Sequence, residues 1–191
     1  MEELLKTIYE FIINSVNSSS FLGPVFACFL IFIESIIPVL PLFVFITVIF
    51  LKYGAIFGFI LSWLFTILGC MSSYFLVKYL ANKFFKLDGP KLKKIISMIK
   101  RVSFPELVTI IAIPFTPAFL INIAAAIANI DKKKFIISIL IGKIFMVYFW
   151  GFIGVSLIES LKNPLIIIRV IILLIFAYIL SIIAKKILKI N

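Results

Sequence analysis

The segment IESIIPVLPLF, Ile33 to Phe43, sets a carboxylate, Glu34, shortly before two prolines, Pro38 and Pro41, inside a long apolar run. A carboxylate in hydrocarbon costs several kcal/mol unless a partner or a water-filled cavity receives it. Each proline removes a helical hydrogen bond and kinks the chain, so Pro38 cannot donate to the carbonyl of Glu34, nor Pro41 to that of Ile37. A second segment, AIPFTPAFLINIAAAIANI from Ala112 to Ile130, repeats the Pro-x-x-Pro spacing at Pro114 and Pro117. These prolines free the carbonyls of Ile110 and Ile113 in the same way. Unpaired carbonyls at depth need water, an ion or a polar headgroup, and the half-helix after each break turns its positive dipole end to the same place. The chemistry this permits is the binding and passage of a polar group. Glu34 could exchange a proton on either side of a transport step; its alternative role is a protonated donor that locks the break. The prolines, likewise, could simply shape the breaks.

Ser35, Thr116 and Asn122 are the polar neighbours of the two breaks. The Asn122 amide could link the two segments or coordinate a headgroup. Lys143 lies in a later apolar segment, nine residues after Lys134. It could pair with Glu34, attract a phosphate, or snorkel to the interface, as is expected of Lys78. The small residues Ala124 to Ala126 and Ala128 would let a neighbouring backbone approach closely.

The elements that must position these groups follow from turn and charge signals. Residues 1–20 read as a short interfacial helix ended by NSVNSSS. Phe21 to Leu51 is apolar but broken. As one helix it would be roughly 46 Å long, against about 30 Å of hydrocarbon, too long for one crossing and too short for two. A re-entrant hairpin of two half-helices fits both the length and the break; a single kinked, tilted helix is the alternative. Ala55 to Leu80 is an unbroken span. Residues 83–101 form a basic interfacial connection, with a Gly89-Pro90 turn and an amphipathic helix from Lys91 to Arg101. Phe104 to Ile130 is the second broken block. After a turn at DKKK, Phe135 to Leu157 is a second span, and Leu165 to Ala184 a third.

A cytoplasmic C-terminus, with Lys185, Lys186 and Lys189, puts Lys132 to Lys134 inside. A hairpin over 104–130 then keeps the basic connection inside as well, where a full crossing would expel it. Both Pro-x-x-Pro blocks precede a short turn and an uninterrupted span, and they start from opposite sides, as inverted repeats do. The expected fold is an all-α integral membrane protein: two inverted re-entrant hairpins (21–51 and 104–130), about three full transmembrane helices, and interfacial amphipathic helices.

Composition bounds the rest. Of 191 residues 64% are hydrophobic and 14% charged, and 22 are Phe; mean hydropathy is +1.27. A soluble domain could not cover that much apolar surface, so the expectation is a single membrane domain. The N-terminus carries Glu2 and Glu3 and no long apolar run, so no cleaved signal peptide is expected. With no histidine and two distant cysteines, Cys28 and Cys70, histidine catalysis, the usual zinc sites and a structural disulfide are not expected. The distribution of the +11 charge suits anionic headgroups at a cytoplasmic face rather than nucleic acid.

The residues quoted above resemble the DedA family, whose shared region is the VTT domain, also called the SNARE-associated Golgi protein region. IESIIPVLPLF resembles the family's acidic residue followed by P-x-x-P, which puts the intramembrane acid on Glu34 and the prolines on Pro38 and Pro41. AIPFTPAFLINIAAAIANI resembles its second motif, matching Pro114, Pro117 and Asn122. The resemblance covers roughly Phe21 to Leu157. The chain departs from many bacterial members in lacking a second acid at Leu42 or Phe43, an arginine at Ile111 and another near Pro117, and a glycine at Ala126. In this it looks more like the branch related to eukaryotic VTT proteins.

The resemblance implies translocation of phospholipid, or of a phosphorylated lipid carrier, by flipping or scrambling; no enzymatic activity, cofactor or metal is expected. The expected transport site comprises Glu34, Ser35, Pro38, Pro41, Pro114, Thr116, Pro117, Asn122 and Lys143. Expected partners are lipid headgroups, protons and a second copy of the chain. The Lys- and Ile-rich composition suggests a bacterial inner membrane. Two alternatives stay open: a proton-coupled transporter of small ions or drugs, and a non-transporting membrane scaffold.

Overall fold

Proline, glycine and side-chain caps mark where the helices stop. A computed structural model describes residues 22–37, 41–84, 100–160 and 165–187, with positions 7, 10 and 14. The regular elements among them are helices: α1 (Leu22–Glu34), α2 (Leu42–Phe84), α3 (Phe104–Ala112), α4 (Ala118–Ile127), α5 (Lys132–Ser160) and α6 (Leu165–Ile187). Pro38, most of the segment 1–20 and most of the basic connection 83–101 lie outside the described residues.

In α1 the last turn closes through Ser35 N–H to the Ile31 carbonyl and Ile37 N–H to that of Ile33. Directly after Pro41, α2 begins, and it breaks at Gly54, whose φ of 77° suits a residue without Cβ. The chain folds back there. A Cβ on Gly58 would stand 2.7 Å from Phe50 Cα, whereas residues eight apart in a straight helix are separated by about 12 Å. The arms 42–53 and 55–84 are therefore antiparallel.

Ser103 starts α3 with a capping box: its hydroxyl accepts from Glu106 N–H, and the Glu106 carboxylate accepts from Ser103 N–H at 2.6 Å. The helix ends at Ile113, ahead of Pro114. Pro117 opens α4, and Asn129, at φ 51°, closes it. Ile130 N–H reaches the Ala125 carbonyl and Asn129 N–H that of Ala126, the paired bonds of a Schellman ending. The DKKK segment, expected as a turn, instead begins α5, because the Asp131 carboxylate accepts from Lys134 N–H at 2.9 Å and caps it.

Cross-contacts fix the directions. Lys134 Nζ donates to the Val102 carbonyl, so α3 and α5 start at the same end. Further along both, a Cβ on Gly142 would meet Ile111 Cβ at 2.8 Å. Thus α3 runs parallel to α5 and packs directly on it, while α4 leaves the pair to pack against the long arm of α2. The first half has the same order: Pro24 and Val25 share a groove with Tyr53 and Phe57, and Ser35 meets Gly69. The two long helices run antiparallel, because Trp63 Nε1 donates to the Leu140 carbonyl (3.0 Å) and the Tyr74 hydroxyl to that of Ile130 (2.7 Å). The second half is thus an upside-down copy of the first.

The halves also exchange packing. The short arm of α2 lies against α5, with Phe50 at Gly151 and Thr47 at Gly154. In return, Ala125 and Ala126 of α4 join Ile67, Cys70 and Tyr74 of the long arm in one buried cluster. A second cluster joins α1, the short arm and Met146 and Val147 of α5. Among the described residues two helices are long and apolar enough to cross a membrane, Leu42–Ala81 and Lys132–Ser160. Within the first, the arm 55–84 is about 45 Å long, and the half-helices are about 14–20 Å each, short of the roughly 30 Å of a hydrocarbon core. The 23-residue α6 packs on α5 and occupies the place of the third expected span.

Candidate functional site

The two breaks meet midway along the long helices. Ser35 packs at Gly69, near the centre of the arm 55–84, where a Cβ would fall 2.6 Å from both the Phe32 carbonyl oxygen and Ser35 Cβ. From the other half, Asn122 donates its amide to the Ser35 carbonyl at 3.3 Å. Both residues are buried, at 2% and 1% exposure. The Ser35 carbonyl lies just past the end of α1, among the acceptors a helix leaves unpaired, so Asn122 supplies a donor that the helix cannot. The Ser35 hydroxyl turns back to the Ile31 carbonyl at 3.0 Å.

Glu34 lines a cavity of about 260 Å³ together with Pro114, Thr116 and Pro117 of the opposing break and Phe43, Met146 and Trp150. Beside it, Lys143, Thr116, Asn122 and Ile111 enclose a smaller space of about 10 Å³, room for a single water. The two cavities share Thr116 and Ala118. Lys143 is 2% exposed near the middle of α5, too deep for the snorkelling expected of a lysine near a helix end. Its charge acts on Glu34 through space. Lys78, by contrast, hydrogen-bonds the Tyr74 hydroxyl at 3.1 Å and sits over that ring.

Of the residues expected from sequence, Glu34, Ser35, Pro114, Thr116, Pro117, Asn122 and Lys143 gather here. Pro41 is exposed at the start of α2, and Pro38 lies outside the described residues. One carbonyl expected to be free is not: that of Ile113 accepts from Thr116 N–H at 3.2 Å, because the residues between the two prolines close a tight turn.

Sequence reasoning missed the aromatic wall. The Phe115 ring lies 5.7 Å from Trp150, 6.4 Å from Phe149 and 6.4 Å from Tyr178, each edge to face, and Phe43 lies 5.9 Å from Trp150. In a chain with 22 Phe no ring stands out, but Phe43 and Phe115 each lie within two residues of a motif proline, which was a usable signal. Gly69 and Gly142 were missed as well. They admit α1 and α3 at corresponding places, touching Phe32 and Ser35 in one half and Val108 and Ile111 in the other.

An all-helical membrane protein of two inverted halves, with polar groups gathered where its broken helices meet, is the class that this fold and site define. The VTT domain matches residues 37–156. The uncharacterized membrane protein YhjE of Bacillus subtilis (strain 168) is 30% identical over 170 residues, covering 86% of this chain and 80% of that protein. No solved structure matches the chain. The chain belongs to the VTT-domain family, the DedA membrane proteins.

Proposed function

We propose that this protein translocates phospholipid, or a phosphorylated lipid carrier, across a bacterial inner membrane, with Glu34 and the two Pro-x-x-Pro breaks forming the headgroup passage. The observation that carries this reading is the cavity shared by Glu34 and the opposing break, midway along two helices long enough to span. In a bilayer the paired half-helices are re-entrant hairpins, and irregular backbone is tolerated at that depth where it lines a cavity. Two short hairpins leave less hydrocarbon for a headgroup to traverse, while acyl tails stay in the surrounding lipid. Lys100, Arg101 and Lys132 to Lys134 gather at one end of the bundle, which supports the reading that this end faces the cytoplasm.

Purified protein in liposomes, assayed with acyl-labelled fluorescent lipids with and without a pH gradient, tests the reading. The native chain should move lipid and Glu34→Gln should be slowed at least about tenfold, the effect of some 1.4 kcal/mol. If folded native protein moves no lipid, the proposal fails. Single cysteines at Lys52 and Lys133, in a background without Cys28 and Cys70, should label from opposite sides; labelling from one side defeats the inverted arrangement.

A further inference from the structure

We infer that the larger cavity is divided by charge into two subsites: an ammonium group binds between Glu34 and the rings of Phe43, Phe115 and Trp150, and a phosphate binds at the start of α4 on the Lys143 side. As applied to lipids, this rests on the translocation reading above and names its substrate class, a zwitterionic headgroup. The argument begins with the walls. Phe43, Phe115 and Trp150 line the same cavity as Glu34, with ring centroids 5.7–5.9 Å apart around Trp150. Aromatic faces attract cations and repel anions, and a carboxylate beside them adds to both effects.

The opposite edge has the opposite sign. Ala118 borders both cavities and is the first residue of α4, a ten-residue helix whose cap, Pro117, supplies no side-chain hydrogen bond. Its first N–H groups and dipole therefore favour an anion there. Behind that edge stands Lys143, buried to 2% exposure. The space directly beside Lys143, about 10 Å³, fits a water and not a phosphate. The phosphate accordingly belongs at the shared Thr116–Ala118 edge, with Lys143 acting across one water. The larger cavity, about 260 Å³, has room for many times the single water of the smaller one, enough for a headgroup and too small for a whole lipid.

The same ammonium chemistry could come from a lipid or from a free organic cation, and two measurements separate these. The chain has two Trp, so Trp63→Phe leaves Trp150, in the cavity wall, as the reporter. Its fluorescence is titrated with phosphocholine, tetramethylammonium and glycerol 3-phosphate in the full-length protein, after monodisperse elution has verified the fold. Phosphocholine should bind at least about tenfold more tightly than glycerol 3-phosphate. Adding Phe115→Leu, at the partly exposed tip, or Glu34→Gln should weaken phosphocholine binding about tenfold. Equal binding of glycerol 3-phosphate, or no response of Trp150 to any of the three in folded protein, overturns the assignment.

In liposomes, phosphatidylethanolamine and phosphatidylcholine should cross at least about tenfold faster than phosphatidylglycerol. Equal rates overturn the zwitterion assignment and leave lipid translocation standing. Tetramethylammonium and phosphocholine binding without movement of any lipid overturns the translocation reading and the lipid assignment, and identifies the ammonium site as one for free organic cations.

Discussion

Replacing Asn122 by leucine keeps the side chain's approximate bulk and removes its donor. The bond it breaks joins the two halves at their centre, from Asn122 Nδ2 to the Ser35 carbonyl at 3.3 Å, with both residues buried. Past the end of α1 that carbonyl has no helical donor to fall back on, so the loss is that of a buried acceptor left unsatisfied, about 1–3 kcal/mol. For a chain of this size each kcal/mol shifts the midpoint of thermal unfolding by about 2–4 °C, giving a fall of about 2–12 °C. Thermal unfolding in detergent, followed by the loss of the monodisperse elution peak, measures it. Asn122→Gln retains an amide and should recover part of the loss. Ser35→Ala removes only the local hydroxyl bond to Ile31 and leaves the accepting carbonyl in place, so its effect should be smaller than that of Asn122→Leu. A leucine variant melting within about 1 °C of the native chain would refute the idea that this bond couples the halves.

Gly142→Ala puts a Cβ 2.7 Å from Ile111 Cγ2 and 3.0 Å from the Val108 carbonyl oxygen; α3 must move, and overpacking of this kind costs about 1–3 kcal/mol in the same thermal assay. Tyr74→Phe strands the Ile130 carbonyl, which accepts the buried hydroxyl at 2.7 Å, and should cost about 1–3 kcal/mol, measured likewise. At the exposed start of α3, hydrogen bonds from the Ser103 backbone and then its side chain hold the Glu106 carboxyl below the usual carboxylate range. Because the folded value lies below the unfolded one, the capping box stabilises α3 above the unfolded pKa of about 4.3 and loses that contribution as pH falls through the folded value. Ser103→Ala keeps the backbone bond and removes the hydroxyl, so carbon-13 NMR of the Glu106 carboxyl should titrate higher than in the native chain.

The two breaks were legible because proline and an acid are conspicuous in an apolar run, and because the two Pro-x-x-Pro pairs share one spacing. The helical fold followed from composition and block length. The partner of Asn122 was not legible, since its acceptor is a backbone carbonyl 87 residues away and a carbonyl leaves no mark on residue identity. Lys143 was ambiguous for a related reason: hydropathy cannot distinguish a lysine reaching the interface from one buried against the second break, in its own half. The start of α5 was misplaced because Lys132 to Lys134 read as a polar turn, when Asp131 before them was the cap of a helix. The aromatic wall was hidden by abundance, since a phenylalanine reports position only where phenylalanines are scarce.

The exchanged packing has a consequence for how the chain is made. Thr47 in the short arm of α2 rests at Gly154 of α5, about 100 residues later, so at typical synthesis rates it leaves the ribosome roughly 5–20 s before its seat exists. For the part of that interval before α4 is made, the first half holds an apolar hairpin whose backbone break and carboxylate have no partner from the second half. Such an intermediate is a natural client for the membrane insertion machinery. Truncation before α5 should leave a product that quality-control proteases remove rather than a stable half-protein.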